Sequence, residues 1–307
     1  MRSLFPVTDQ TPAGGPEAAS APALTGVPDR APAPTADRAP APTADRAPAP
    51  TADRAPAPTA DRAPAPADDR EWSLDELADW YAYPETDRPV LRANMVSTLD
   101  GAAMHEGRSQ PISCPADMRI FGTLRGLADA VVVGAETVRQ EEYRPARARD
   151  AFAGRRAAAG QGPAPAIAVI SASLDLDFSL PLFTEPLVPT LVLTGAAASA
   201  ERREAAEKAG ARVLIAGEGR GVEPGRVVAA LAGQGLKRLL TEGGPTLLGQ
   251  FVAADVLDEL CLTVSPMLAA GDARRIAGGP RMTLPERFAL ASVLEEDGFL
   301  FTRYRRP

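Results

Sequence analysis

The segment 237–256 constrains the fold of this chain most strongly. A short apolar run leads through Glu242 to Gly243 and Gly244, and the chain becomes compatible with a helix from Pro245. This order predicts strand, tight turn and helix, and proline suits the first helical turn, where no N–H is needed. Glycines admit a ligand to the backbone and a helix start presents free N–H groups, so this turn is a candidate phosphate site. An ordinary strand-to-helix connection is the alternative.

Short apolar runs and helix-compatible segments alternate along much of the chain. The predicted strands cover 90–96, 129–134, 166–171, 190–194 and 212–216. The predicted helices begin at a capping box on Ser73 and at Pro115, and lie near 200–209 and 224–232. This alternation predicts a mostly parallel α/β sheet.

Two further patterns bear on the fold. Three consecutive apolar runs, at 258–266, 288–294 and 299–304, predict an antiparallel edge on the sheet. The segment 146–165, rich in Ala and Arg, is predicted to be an exposed loop.

An N-terminal region of low complexity precedes the predicted domain. The unit AlaProAlaProThrAlaAspArg recurs from Ala31 and ends in an altered copy from Ala63. It contains no large apolar side chain and cannot offset the entropy lost on folding, so residues 1–70 are predicted to be a disordered tail of polyproline II character. A repeat solenoid is the competing interpretation. Residues 71–307 are long enough for one domain with a full core.

Composition narrows the classes of protein that this chain can belong to. The net charge of −7 and the pI of about 5.0 make a nucleic-acid partner unexpected. The sparing use of cysteine, with only Cys114 and Cys261, indicates a cytoplasmic location. His105 is the single histidine, so no metal site is expected and a surface loop is its favoured place. No apolar run is long enough for a signal peptide or a membrane span.

Six motifs occur in an order that is typical of one enzyme family: NMVSTLDG at 94–101, GRSQPIS at 107–113, TLR at 123–125, VVVGAETV at 131–138, LLTEGGPTL at 239–247 and DELCLTVSP at 258–266. From about Arg88 onward the chain resembles the reductase domain of the bifunctional riboflavin-biosynthesis deaminase-reductase. The resemblance implies a dihydrofolate-reductase-like three-layer sandwich, a homodimer, NADPH as cofactor and a phosphorylated aminopyrimidine riboside as substrate. On this resemblance the chain is expected to lack the family's deaminase half, with the repeats in its place.

The resemblance also implies site residues. The substrate contacts would be Ser109, Arg125, Arg147 and Glu242. The cofactor contacts would be Val96, Pro111, Thr137, Glu141, Gly243, Gly244, Pro245, Thr246 and Leu247. This chain departs from the family at 141–145, where EEYRP replaces the usual AspAspPro, and this difference leaves the heterocyclic substrate open.

The expected chemistry requires a carboxyl group. Hydride would come from the nicotinamide, and opening a ribosylamine requires proton movement at the sugar. Glu242 and Asp100 are the candidates for this step. Asp100 lies in a Leu-Asp-Gly turn, where hydrogen bonds to its own backbone are the alternative. For Arg125 the alternative to phosphate binding is a salt bridge at a helix end.

Three functions remain open on the sequence alone. The first is an NADPH-dependent reductase of a phosphoribosylaminopyrimidine in riboflavin synthesis. The second is a reductase of dihydrofolate or another pterin-like ring, because one fold can hold either heterocycle. The third is a nucleotide-binding protein without turnover.

Overall fold

A ten-stranded sheet organises the residues that the computed structural model describes, which are 1–5, 70–141 and 143–307. The strands are β1 (Arg2–Phe5), β2 (Val90–Ser97), β3 (Ala130–Gly134), β4 (Ala166–Ile170), β5 (Leu191–Thr194), β6 (Arg212–Ile215), β7 (Arg238–Thr241), β8 (Glu259–Val264), β9 (Ala289–Glu296) and β10 (Phe299–Arg305). Their order is β1-β9-β10-β8-β2-β7-β3-β4-β5-β6. The pairs from β8 through β2 to β6 are parallel, whereas β10 pairs antiparallel with β8 and β9, and β1 with β9.

Helices cover both faces of this sheet. They are α1 (Leu74–Trp80), α2 (Pro115–Leu127), α3 (Ala135–Gln140), α4 (Asp150–Ala158), α5 (Pro181–Thr184), α6 (Ala200–Lys208), α7 (Pro224–Ala232) and α8 (Pro245–Ala253), with a 3-10 turn at Gln110–Ile112. Successive strand residues point to opposite faces. Val131 and Val133 therefore pack with α1, α2, α4, α5 and α6, and Ala130 and Val132 pack with α7 and α8. The predicted three-layer α/β fold with an antiparallel C-terminal edge is confirmed.

The prediction of an exposed loop over 146–165 is wrong, because α4 forms within it. Phe152 is buried, and its ring lies against Gly126 of α2, where a β-carbon would come within 2.6 Å of the ring. The buried Arg156 guanidinium donates to the carbonyls of Gly126, Ala128 and Gly162. Two buried side chains in a polar, Ala-rich segment were too weak a periodic signal to indicate the helix.

The predicted tail differs from the structure at its first residues. Arg2–Phe5 form β1 and pair with β9 instead of lying in a disordered segment, and the Arg2 side chain donates to Glu295 at 2.5 Å. The eight-residue repeats lie outside the described residues. Within the described ranges, no helix is long and apolar enough to span a membrane.

Candidate active site

The carboxyl ends of three adjacent parallel strands, β2, β7 and β3, carry the predicted functional residues. Glu242 follows the last residue of β7, and its N–H lies 3.4 Å from the carbonyl of Val132 on β3. The N–H of Gly134 donates to the carbonyl of Gly243 at 3.3 Å. These contacts hold the turn after β7 beside the end of β3. Ligands of α/β sheets bind at this edge.

Glu242 and Arg125 form a two-point ion pair. Arg125 lies in the last turn of α2, and its Nε and Nη2 donate to the two carboxylate oxygens of Glu242 at 2.6 Å each. The Glu242 side chain is only 8% exposed. Burial alone would lower the pKa of Arg125, but the Glu242 carboxylate outweighs burial and raises this pKa above its usual value.

A tyrosine completes this pair. The Tyr143 hydroxyl donates to Oε2 of Glu242 at 2.6 Å and accepts a hydrogen bond from Nη2 of Arg125. Burial raises the pKa of Tyr143 well above its usual value, and the Glu242 charge adds to this effect. The phenol therefore remains a neutral donor. We call Arg125, Tyr143 and Glu242 the carboxylate clamp.

Two neighbouring cavities meet at the clamp. The first cavity, of about 670 Å³, is lined by residues of α2, α3, α4 and the segment 143–149. The second cavity, of about 580 Å³, is lined by the end of β2, the segment 109–115 and the start of α2. Both cavities include Ser109, Met118, Phe121 and Glu242. Glu242 thus lies between two spaces of ligand size.

The structure brings together all four predicted substrate residues. The first cavity is lined by Ser109, Arg125, Arg147 and Glu242, together with two predicted cofactor residues, Thr137 and Glu141. The second contains Val96, together with Ser109 and Glu242. Pro111 and the segment 243–247 line neither of these two cavities. Pro111 is instead an exposed residue of the 3-10 turn.

The glycine turn keeps the form that its sequence predicts. Gly243 has a φ of +90°, which glycine adopts without steric cost, and Gly244 precedes α8 with Pro245 in its first turn. A β-carbon on Gly244 would lie 3.3 Å from Oγ1 of Thr137. The Leu247 side chain is buried in the core, so only the backbone of this residue can reach a ligand at the helix start.

Asp100 binds a distant loop, whereas the alternative interpretation expected hydrogen bonds to its own backbone. Its carboxylate accepts the Thr98 hydroxyl and the backbone N–H of Ala269 and Ala270. The Thr98 hydrogen bond, followed by the two backbone bonds, lowers the pKa of Asp100 to about 2. Asp100 lines neither cavity. Its contacts fasten the turn after β2 to the loop after β8.

Several residues at the site had no distinct signal in the sequence. Phe121 fits a core position of α2, yet its ring lies 4.5 Å from the Arg125 guanidinium. Tyr143 falls in the segment that departs from the family pattern. Arg144 and Arg149 line the first cavity beside Arg147. Only the clustering of arginines over 144–149 could have indicated an anion-binding wall.

Asp117 is a further missed residue, in the second cavity. It is 6% exposed, and its two oxygens accept the hydroxyl groups of Ser113 at 2.5 Å and Thr263 at 2.6 Å. Burial raises the pKa of Asp117, and this effect exceeds the lowering of the pKa by the two hydrogen bonds. In the sequence this residue is one acidic position in the first helical turn, which is more often explained by the helix dipole.

A clamped carboxylate at the carboxyl edge of a parallel sheet, with a glycine turn entering a helix beside it, places the chain among α/β enzymes that use nucleotide ligands. The chain belongs to the RibD C-terminal domain family, whose profile matches residues 89–297. This match confirms the family resemblance of the six motifs. Membership of this reductase family implies a nicotinamide cofactor.

Two similar proteins and one solved structure agree with this family. A protein of Archaeoglobus fulgidus named 2,5-diamino-6-ribosylamino-4(3H)-pyrimidinone 5′-phosphate reductase is 30% identical over 185 residues, covering 60% of this chain and 83% of that protein. A protein of the same name from Methanothermobacter thermautotrophicus is 31% identical over 193 residues, covering 62% and 85%. The crystal structure of a pyrimidine reductase-like protein from Corynebacterium diphtheriae is similar with a TM-score of 0.66 and 28% identity, covering 76% of this chain and 98% of that chain.

Proposed function

We propose that this chain is an NADPH-dependent reductase that converts the ribosyl group of a phosphorylated aminopyrimidine riboside to ribityl. The substrate is 2,5-diamino-6-ribosylamino-4(3H)-pyrimidinone 5′-phosphate, which the names of two relatives carry, or 5-amino-6-(5-phosphoribosylamino)uracil. The observation that carries this proposal is the position of Glu242, which lines both cavities. Glu242 can therefore contact the sugar at the junction of these two spaces.

The glycine turn and α3 fit a nicotinamide cofactor. Gly243 and Gly244 have no side chains, and a β-carbon on Gly244 would crowd the Thr137 hydroxyl. At the start of α8, the N–H groups of Thr246 and Leu247 precede the first intrahelical bond, which Leu248 donates to Gly244. These groups would hold cofactor phosphate, with Thr137, Glu141, Val96 and Pro111 as further proposed contacts.

The clamp would act on the sugar. When bound, the reduced nicotinamide supplies a hydride to C1′ of the ribose. The Glu242 carboxyl would donate a proton to O4′ as the C1′–O4′ bond opens and would regain a proton from solvent, so that the product gains one hydride at C1′ and one proton at O4′. Glu242 thus has the proposed proton-transfer role. We assign Asp100 a loop-fastening role instead of a catalytic one.

The first cavity suits the phosphate end of the substrate. Arg147 lines it with Arg144 and Arg149. Within the described part of the chain, none of these three arginines forms an ion pair. Unpaired guanidinium groups on a cavity wall favour an anionic ligand. Ser109, at the junction of both cavities, would contact the ribityl chain.

A comparison of two substrates tests whether the protein reduces a phosphoribosylaminopyrimidine or dihydrofolate. The purified full chain is mixed with NADPH and either a phosphoribosylaminopyrimidine or dihydrofolate, and NADPH absorbance is followed. We expect consumption with a phosphoribosylaminopyrimidine and its loss in Glu242→Gln. Consumption with dihydrofolate alone would establish the alternative reductase. NADPH binding without any consumption would leave a nucleotide-binding protein and contradict both reductase proposals.

The assembly and domain limits also belong to this proposal. We propose a homodimer, which is supported by two exposed apolar side chains, Leu99 at 61% and Leu268 at 74% exposure. Their segments lie side by side, because the Leu99 N–H donates to the carbonyl of Met267 at 2.8 Å. Light scattering of the purified protein tests this state, and a monomer would contradict it.

We further propose that residues 71–307, with β1 added at the sheet edge, form the reductase domain in the cytoplasm.

A further inference from the structure

The segment in which this chain departs from its family supplies one side chain to the carboxylate clamp. Tyr143 stands in the EEYRP segment, and its ring packs against the hydrophobic core around α2 and β3. Its hydroxyl contacts both Glu242 and Arg125. A side chain whose ring is packed and whose hydroxyl is held by two hydrogen bonds has little freedom to reorient. Tyr143 is therefore a fixed support of the ion pair.

The clamp leaves only one edge of the Arg125 guanidinium for a ligand. Nε and Nη2 donate to Glu242 and Tyr143. The faces of Phe121 and Tyr143 lie 4.5 Å and 5.3 Å from the guanidinium carbon. Nη1 donates to no acceptor among the described residues. Since Arg125 lines the first cavity, Nη1 is its free donor there.

We propose that Tyr143 is a positioning residue of the reductase. It holds Glu242 and Arg125 in the orientation that keeps the carboxylate at the junction of the two cavities and Nη1 free for the anionic part of the substrate. Tyr143 acts through these two residues and transfers no proton itself. This inference rests on the proposed reductase function, because the orientation matters for turnover only if Glu242 contacts the sugar.

Tyr143→Phe isolates the hydroxyl, because phenylalanine keeps the packed ring. Loss of a hydrogen bond to a charged group is expected to lower kcat about tenfold to a hundredfold. KM for NADPH should stay within about twofold, because the cofactor contacts are unchanged. Tyr304→Phe, on β10, is the matched control and should keep wild-type kinetics. A Tyr143→Phe enzyme with wild-type kcat would overturn the proposal.

A second measurement is independent of turnover. In the wild-type protein the Nε–H of Arg125, which donates to Glu242 at 2.6 Å, should give an NMR signal that is protected from solvent exchange. Arg125→Lys assigns this signal by its disappearance. In Tyr143→Phe we expect exchange to be about tenfold faster. An unprotected wild-type signal, or equal protection in the variant, would contradict the positioning role.

The two measurements separate the two claims. If the wild-type protein reduces neither pyrimidine substrate, the proposed function fails. The solvent exchange of the Arg125 Nε–H in Tyr143→Phe still shows whether Tyr143 orders the ion pair. If the wild-type protein turns over and Tyr143→Phe changes neither kcat nor exchange, the positioning role fails and the reductase function stands. Should Tyr143→Phe not fold, an unprotected wild-type signal would still contradict the positioning role.

Discussion

Arg125 donates to both carboxylate oxygens of Glu242 across 117 positions of sequence. The resemblance implied that each residue contacts the substrate, and the structure shows that they contact one another. Each side chain therefore fixes the orientation of the other. A substitution of either one changes the group that both cavities share.

Replacing Arg125 by lysine should impair turnover although the positive charge is kept. Lysine cannot form the planar two-point contact, so one oxygen of the buried Glu242 loses its partner. We expect kcat/KM for the pyrimidine substrate to fall about a hundredfold, equivalent to about 2.7 kcal/mol. Steady-state kinetics measure this change. Arg226→Lys, which alters an exposed ion pair on α7, should have no effect, and an equally active Arg125→Lys would contradict the clamp.

Gly244→Ala tests the cofactor turn. The new methyl group would lie 3.3 Å from Oγ1 of Thr137, which is tighter than ordinary van der Waals contact, and would occupy space beside the helix start. We expect the Kd for NADPH to rise about tenfold, or about 1.4 kcal/mol. Fluorescence titration of NADPH measures it. Gly225→Ala, at an open position of α7, is the control, and unchanged NADPH affinity in Gly244→Ala would argue against this turn as the cofactor site.

Stability depends on a buried charge cluster away from the site. Glu259 on β8 pairs with Arg92 at 2.5 Å and with Arg303 at 2.9 Å, and all three side chains are at most 4% exposed. Glu259→Gln leaves two buried guanidinium groups without a countercharge. The free energy of unfolding should fall by about 3 to 5 kcal/mol. Urea unfolding measures it, and a loss below about 1 kcal/mol would show that solvent screens these charges.

The same cluster sets a pH dependence of stability. Burial alone would raise the pKa of Glu259, but Arg92 and Arg303 outweigh it and lower this pKa to about 2. The unfolded chain has a value of about 4.3, so the stabilising contribution is complete above this pH and is lost as pH falls towards 2. We expect about 3 kcal/mol to disappear over this window. In Glu259→Gln the free energy of unfolding should lack this loss between pH values of about 4.3 and 2. If it depends on pH in the variant as it does in the wild type, Glu259 is not the source of the effect.

Local sequence order explains what could be predicted. The turn after β7 combines an apolar run, two glycines and Pro245, all within one short segment, so its strand, turn and helix follow from neighbouring residues. Carboxyl ends of parallel strands meet at one edge, so Glu242 could be expected beside a ligand. The sheet followed from the same alternation of strands and helices.

Contacts between distant segments explain what could not be predicted. Tyr143 reaches Glu242 across 99 positions of sequence, and no periodicity encodes that approach. The helix α4 depends on Phe152 meeting Gly126, a tertiary contact that overrides the weak pattern of its segment. The placement of β1 likewise depends on the free edge of β9.

The most direct test of the proposed function follows the hydrogen that is transferred. NADPH labelled with deuterium at the transferable position of C4 is incubated with the purified protein and the phosphoribosylaminopyrimidine, and the product is analysed by mass spectrometry. We expect the wild-type protein to form a ribityl product with one deuterium at C1′. Glu242→Gln should form this product at least about a hundredfold more slowly. An unlabelled sugar, or deuterium found in a reduced pterin ring and never in ribityl, would contradict the proposed function.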